Sequence, residues 1–252
     1  MTVLPELTSV PPLDDILRSE NLRPVFQPIV RLGDERAFGY ESLARYRSDN
    51  PLLDPDFLFR YAARKNRVCD LDIACLRRSL EEGADLLPHG ALFINIHPTM
   101  LTAPERWVVL LESLSRAGAI DTRRIVLEVT EQGAIDEDRV SPAVFDRLRA
   151  LGIRLALDDV GAAWSQLALI DRIQPEFVKI SQIFGTGFER DSAKEKIVRS
   201  IASLGRDFGC AIVLEGIETA ATAEAARELE IEYGQGFHFA RPTEASLLLG
   251  SA

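Results

Sequence analysis

No stretch of the 252-residue chain approaches the roughly 20 consecutive apolar residues that a membrane-spanning helix needs. The opening MTVLPELTSVPPLDD has neither a basic n-region nor an apolar h-region, so it does not read as a secretion signal, and a cytoplasmic location without membrane attachment is the expectation. Cysteine is scarce: Cys69, Cys75 and Cys210 form no CxxC pair, which leaves no disulfide framework and reads as reduced thiols. The three histidines, His89, His97 and His238, match neither HxxxH nor HExxH, which disfavours a His/Cys zinc site. Basic charge is in deficit, with a formal net charge of −10, and no basic stripe marks a DNA or RNA binder. No GxGxxG follows the first apolar run, and no Gly/Ser linker or low-complexity segment divides the chain.

What is present is a rhythm. Short apolar runs recur at 25–32, 37–46, 91–97, 124–131, 153–159, 176–181, 211–216 and 233–240. Helical spacing fills the intervals 56–66, 70–83, 104–117, 138–151, 192–208 and 218–229; in 138–151, Val140, Val144, Phe145, Leu148 and Leu151 share one stripe. Near-continuous apolar strands alternating with helices imply a parallel sheet covered on both faces. Eight such runs suit an α/β, TIM-like (β/α)8 barrel. The first two runs are separated only by LGDER, so they read as a hairpin, with one strand antiparallel to the rest. A doubly wound open sheet is the alternative. Residues 1–21 read as an N-terminal extension with a short helix, and 22–252 as the barrel.

Polar residues punctuate the strand ends. Glu41 lies in the second run, Asn95 in the third, Glu128 and Glu131 in the fourth, Asp158 and Asp159 in the fifth, Lys179 in the sixth, Glu215 in the seventh and Gln235 in the eighth. An isolated ExxE is usually a solvated helix face, and an isolated Asp pair often a helix cap. Here both follow four or five apolar residues, which argues against either reading. In a barrel the C-terminal strand ends converge on one mouth, so seven strands would aim an acid, amide or ammonium at one small volume. Adjacent carboxylates at the edge of a core repel and lose hydration, so something should compensate them; any metal here would need oxygen ligands, which points to magnesium or manganese.

In order, QPIV (27–30), ESLAR (41–45), NIHP (95–98), LEVTE (127–131), LDDVG (157–161), VKIS (178–181), EGIET (215–219) and QGFHFARP (235–242) make the chain resemble the EAL domain family from about residue 22 to 243. The resemblance implies a TIM-like barrel with one antiparallel strand that hydrolyses cyclic di-GMP to linear pGpG with two Mg²⁺ or Mn²⁺ ions. It further implies that Glu41, Asn95, Glu128 and Asp158 surround one ion, that Asp158 bridges to a second also bound by Asp159, and that Glu215 holds an ion or its water. On the same ground Lys179 would orient and help activate the attacking water, with Gln235 in support. Arg45 would contact a substrate phosphate, Gln27 would bind substrate, and Glu131 would tether the loop after the fifth strand. A homodimer is implied too, with regulation through it or through a protein partner.

The chain departs from the family pattern at several positions. Ser42 stands for alanine, His97 for a frequent serine, and Ser181 for an aspartate that usually follows the lysine. After the fifth strand, Val160, Ala163, Trp164 and Gln166 replace phenylalanine, glycine, tyrosine and serine. These changes keep open a catalytically weak or inactive receptor or protein-interaction module. A different metal-dependent barrel enzyme, such as a lyase, is the third reading.

Overall fold

A computed structural model of the chain describes residues 10–47, 53–130, 140, 142–161 and 166–250. Eight strands close into a barrel in sequence order: β1 (Val25–Arg31), β2 (Ala37–Leu43), β3 (Ala91–Ile96), β4 (Ile125–Thr130), β5 (Arg154–Val160), β6 (Phe177–Ile180), β7 (Ala211–Leu214) and β8 (Tyr233–Gly234). The α/β barrel expected from the sequence is therefore what forms, not an open sheet. Strand β1 runs antiparallel to both neighbours, β2 and β8, and the remaining pairings are parallel.

Strand alternation explains how the barrel separates its cores. Successive side chains point to opposite faces, so residues two apart share one. Outward-facing Leu92, Ile94, Leu127, Val129, Leu155, Leu157, Val178, Ile180, Ile212 and Leu214 join the large core beneath the helices. The inward set, Ile29, Ala91, Phe93, Val126, Ala156, Phe177 and Val213, forms a separate plug inside the barrel. Gly39 makes room for this plug: a Cβ there would stand 2.6 Å from the Ala91 carbonyl oxygen and 2.9 Å from the Phe93 ring. Two residues beyond six of these seven plug residues toward the mouth, the inward position turns polar. Ile29 is followed in this sense by Gln27 on antiparallel β1, Phe93 by Asn95, Val126 by Glu128, Ala156 by Asp158, Phe177 by Lys179 and Val213 by Glu215. The apolar floor and the polar mouth are one pattern, read at two heights.

Ten α-helical segments lie among the described residues: α1 (Leu13–Ile16), α2 (Pro55–Arg64), α3 (Val68–Glu82), α4 (Val108–Arg116), α5 (Ala143–Ala150), α6 (Gln166–Ile173), α7 (Gln182–Gly185), α8 (Ser192–Asp207), α9 (Ala220–Glu228) and α10 (Ala245–Leu249). Side-chain caps fix several starts: Asp54 accepts from the Phe57 amide at 2.7 Å with Pro55 at the first turn, and Asp191 accepts from the amides of Ala193 and Lys194. Leu13 and Ile16 of α1 join Leu58, Ala62 and Leu71 in a satellite core beside α2 and α3.

The differences from the sequence reading are local. The eighth strand was expected over 233–240 but keeps only two residues, because after Gly234 the chain leaves the ladder and packs on the loop after β7. There the Ile217 amide donates to the Gln235 carbonyl and the His238 amide to the Ile217 carbonyl. The helix expected over 104–117 is a 3₁₀ turn at Pro104–Arg106 followed by α4, and α6 was not anticipated. Of the cysteines, which are all free, Cys210 is buried and Cys69 and Cys75 are half-buried. No helix among the described residues is long and apolar enough to cross a membrane.

Candidate active site at the barrel mouth

Lys179 occupies the centre. Its Nζ, wholly buried, lies 2.8 Å from Glu215 Oε1, 2.9 Å from Glu128 Oε1, 3.0 Å from Asp158 Oδ1 and 3.3 Å from Glu41 Oε2. Four strands thus bring carboxylates from positions 41 to 215 to a single point. The contacts have hydrogen-bond length but lack its directionality: Glu128 Oε1 and Oε2, Asp158 Oδ1 and Lys179 Nζ have no hydrogen-bond partner. What holds them is charge, and one ammonium faces four carboxyls.

Asn95 donates to Glu41 Oε1 at 3.0 Å, and Gln235 donates to Glu41 Oε2 at 2.6 Å and to Gln27 Oε1 at 3.0 Å. Gln27 in turn donates to the Ala240 carbonyl at 3.0 Å, so both ends of its amide are engaged within the protein. Arg45 follows β2 and lines the mouth, its guanidinium donating to the Ala44 carbonyl at 2.8 Å. Glu131, Ala163 and Trp164 lie outside the described residues, as does the side chain of Gln166.

The adjacent aspartates reach the mouth by an irregularity. Strict alternation would turn Asp159 away from Asp158. Instead the β5–β6 register shifts between Leu157 and Val160, and Asp159 adopts φ 58°. A left-handed conformation costs a non-glycine residue about 1–2 kcal/mol, less for aspartate than for most. Ser181, just after β6, donates to Asp159 Oδ1 at 2.9 Å. The hydroxyl that replaces the family's usual aspartate is thus a neutral donor beside a carboxylate, where a second acid would add repulsion.

Burial sets the protonation of the cluster. It raises Glu215 to about 8, Glu128 well above the carboxylate range and Asp158 above its usual value, with Lys179 opposing each rise. Burial also pushes Glu41 upward, but Lys179 and the bonds from Gln235 and Asn95 hold its carboxyl below the usual value. For Lys179 burial alone would lower the pKa; four surrounding carboxyls keep it well above the ordinary lysine value.

The donor set fits a hard divalent cation. Its atoms are oxygens, four carboxyls outnumber one ammonium, and a spherical ion does not demand the directionality that the ammonium contacts lack. Among the described residues no three His, Cys, Asp or Glu side chains already stand close enough to one another to grip an ion. The oxygens stand around Lys179 at 2.8–3.3 Å, whereas Mg²⁺ takes oxygens at about 2.1 Å.

The cluster opens into a cavity of about 780 Å³. Sequence reasoning missed part of its wall: Asp56, Phe59 and Arg60 on α2, Asp72 on α3, and Thr130. Asp72 is buried, accepts from the His97 amide at 2.7 Å, and is raised by burial to about 7. No strand-end pattern marks Asp56, Phe59, Arg60 and Asp72, because they come from helices, whereas Thr130 closes β4.

An eight-stranded barrel with one antiparallel strand and a lysine ringed by acids at its mouth defines a class of barrel with an acidic, oxygen-rich site. The family model described as "EAL domain" matches residues 12–242, and the chain belongs to the EAL domain family. It is 28% identical over 91% of its length to the probable cyclic di-GMP phosphodiesterase PdeB of Escherichia coli K12, and 28% identical over 88% to an uncharacterized signaling protein of Caulobacter vibrioides. The chain spans only 44% and 28% of those two relatives. Among solved structures, the PaMucR phosphodiesterase in complex with c-di-GMP superposes with a TM-score of 0.81 at 25% identity, covering 94% of this chain and 99% of that one. The manganese and cy-diGMP complex of Klebsiella pneumoniae BlrP1 gives 0.74 at 29%, covering 88% and 56%.

Proposed function

We propose that the chain hydrolyses cyclic di-GMP to linear pGpG with two divalent cations, Mg²⁺ or Mn²⁺. The observation that carries this reading is the convergence of Glu41, Glu128, Asp158 and Glu215 on one point with a single ammonium to balance them. Membership in the EAL family, PdeB's name and the cyclic di-GMP held by MucR and BlrP1 support it.

Glu41, Asn95, Glu128, Asp158, Asp159 and Glu215 would hold the ions. Bound there, such ions neutralise phosphodiester charge and acidify a water molecule at neutral pH. The residues do the rest. Gln235 and Asn95 fix both oxygens of Glu41, and Ser181 fixes Asp159. Lys179 orients the attacking water, and Glu215 would hold an ion or its water at the mouth. Arg45 pairs with a substrate phosphate. In the net reaction water's oxygen bonds to phosphorus, one P–O bond to ribose breaks, and the departing ribose oxygen takes a proton. Homodimer formation, with control through it or a protein partner, belongs to the same reading and is tested by specific activity against protein concentration.

Purified protein with Mn²⁺ should convert cyclic di-GMP to pGpG, and Asp159→Ala should abolish turnover. A wild type as inert as the variant overturns the reading. The second reading is a receptor that binds without cleavage. It draws on the ammonium already seated at the point of convergence, and binding undiminished by chelator with no product after long incubation would favour it.

A further inference from the structure

Three residues that leave strands at the mouth are held there by backbone. The amide of Ser181, just past β6, donates to the Val160 carbonyl at 3.3 Å. That of Glu215, past β7, donates to the Ile180 carbonyl at 3.1 Å, and that of Gln235, past β8, to the Leu214 carbonyl at 2.9 Å. In each case the acceptor lies on the preceding strand. His97, just past β3, is held differently. The ladder between β2 and β3 ends at Ser42 and Ile94, short of His97. Its amide donates instead to a side chain, Asp72 Oδ2 on helix α3, at 2.7 Å.

Asp72 is an odd occupant of its helix. The buried side of α3 carries Leu71, Leu76 and Leu80, and Asp72 is only 2% exposed among them. Burying a carboxyl is costly unless it is bonded, and an apolar residue would pack there without that cost. What the acid supplies is an acceptor for one amide. About two turns further along α3 lies Ser79, also buried, which accepts from Ser42 Oγ at 2.7 Å. Ser42 and Glu41 are neighbours on β2, so one turns out to the helix while the other turns into the mouth. A single helix therefore tethers β2 beside Glu41 and β3 just beyond Asn95. Asn95 donates to Glu41 Oε1 at 3.0 Å, which closes a ring running from Ser79 through Ser42, Glu41, Asn95 and His97 to Asp72.

We propose that Asp72 is a positioning residue for the cation site. By anchoring the end of β3 through the His97 amide, it keeps Asn95 at the height where its side chain meets Glu41, and Ser79 does the same for β2. The role requires no contact with cation or substrate. It rests on the reading of Glu41 and Asn95 as cation ligands and adds the helix that sets their spacing. A neutral carbonyl oxygen can accept the same N–H, so asparagine should serve at position 72 and alanine should not.

The test measures Mn²⁺ affinity by calorimetry for wild type, Asp72→Ala, Asp72→Asn, Ser79→Ala and Leu76→Ala, with melting of the metal-free proteins in parallel. Asp72→Ala should raise the Mn²⁺ Kd about 10- to 100-fold, and Asp72→Asn should stay within about threefold of wild type. Ser79→Ala should shift Kd in the same direction by a smaller factor, and it carries the test if Asp72→Ala does not fold. Leu76→Ala opens a void on the same helix without loosening either tether, so it should lower the melting temperature and leave Kd within about threefold. Unchanged Kd in Asp72→Ala and Ser79→Ala, with a wild type that binds Mn²⁺, overturns the positioning role and leaves the function standing. So does an equal rise in Leu76→Ala, or an asparagine variant as weak as the alanine one. A wild type that binds no Mn²⁺ overturns the cation reading as well.

Discussion

Replacing Lys179 with methionine keeps the length of the side chain and removes its charge. In the wild type four carboxylate oxygens lie 2.8–3.3 Å from Nζ. At an effective dielectric of about 20, each fully charged contact at ~3 Å is worth about 5 kcal/mol, about 20 in all. Four oxygens spread around one nitrogen lie about 5 Å from each other, and their mutual repulsions also reach about 20 kcal/mol. Attraction and repulsion nearly cancel when every group is ionised. The cluster retains protons instead, which is why burial can hold Glu128, Asp158 and Glu215 above their usual values despite the ammonium. Without Lys179 the repulsion stands alone until further protons bind. The remaining cost is that of a broken buried ion pair, about 3–5 kcal/mol. Urea unfolding in EDTA near pH 8 should register that loss. Near pH 5.5 it should shrink, because Glu128 and Glu215 are protonated there and Glu41, once Lys179 is gone, takes up a proton more readily, and Mn²⁺ should restore more stability to the variant than it adds to wild type. Equal stability of variant and wild type in EDTA near pH 8 would refute the reasoning.

Three further outcomes follow from the same geometry. The folded-state value of Glu215, about 8, lies above the unfolded value of about 4.3, so metal-free stability should fall as pH rises across that interval. Cation binding requires the ionised form, so Mn²⁺ affinity by calorimetry should climb up to about tenfold per pH unit toward 8 and then level off; affinity that stays flat between about pH 6 and 8 contradicts the assignment. Ser42 donates to Ser79 at 2.7 Å where both are buried. Ser42→Ala should cost about 1–2 kcal/mol in denaturant unfolding, with Ser42→Ala/Ser79→Ala less destabilised than the sum of its parts. A Cβ at Gly185 would lie 1.7 Å from the Glu215 carbonyl oxygen, so Gly185→Ala should displace Glu215, weaken Mn²⁺ binding and cost about 1–3 kcal/mol by thermal melting.

The parts of the molecule legible from sequence are those governed by strand periodicity. Glu128, Asp158 and Lys179 each stand two residues beyond an inward apolar residue, so their convergence follows from alternation once a barrel is assumed. Asp159 obeys a different rule, since a register shift and a left-handed backbone bring it round, and neither is marked in DDVG beyond the glycine. Ser181 looked like a lost charge in the sequence; in space it is a donor to Asp159. Asp56 and Arg60 were invisible because a helix facing a cavity has the same sequence pattern as one facing solvent. The short β8 escaped for a related reason: YGQGFHFA has strand composition, but the hydrogen bonds of Ile217 and His238 take that segment into loop packing.

The barrel closes at a thin join, for β8 meets each of its neighbours through two residue pairs. Strand β1 meets β8 through only two residue pairs, Val30 with Gly234 and Arg31 with Tyr233. Immediately above that join, Gln235 grips Gln27 on one side and Glu41 on the other. The cylinder is thus buttoned shut by side chains of the very mouth it supports, and a cation settling against Glu41 would tighten the button. Were a cation to bind at Glu41, loading the site would also brace the wall.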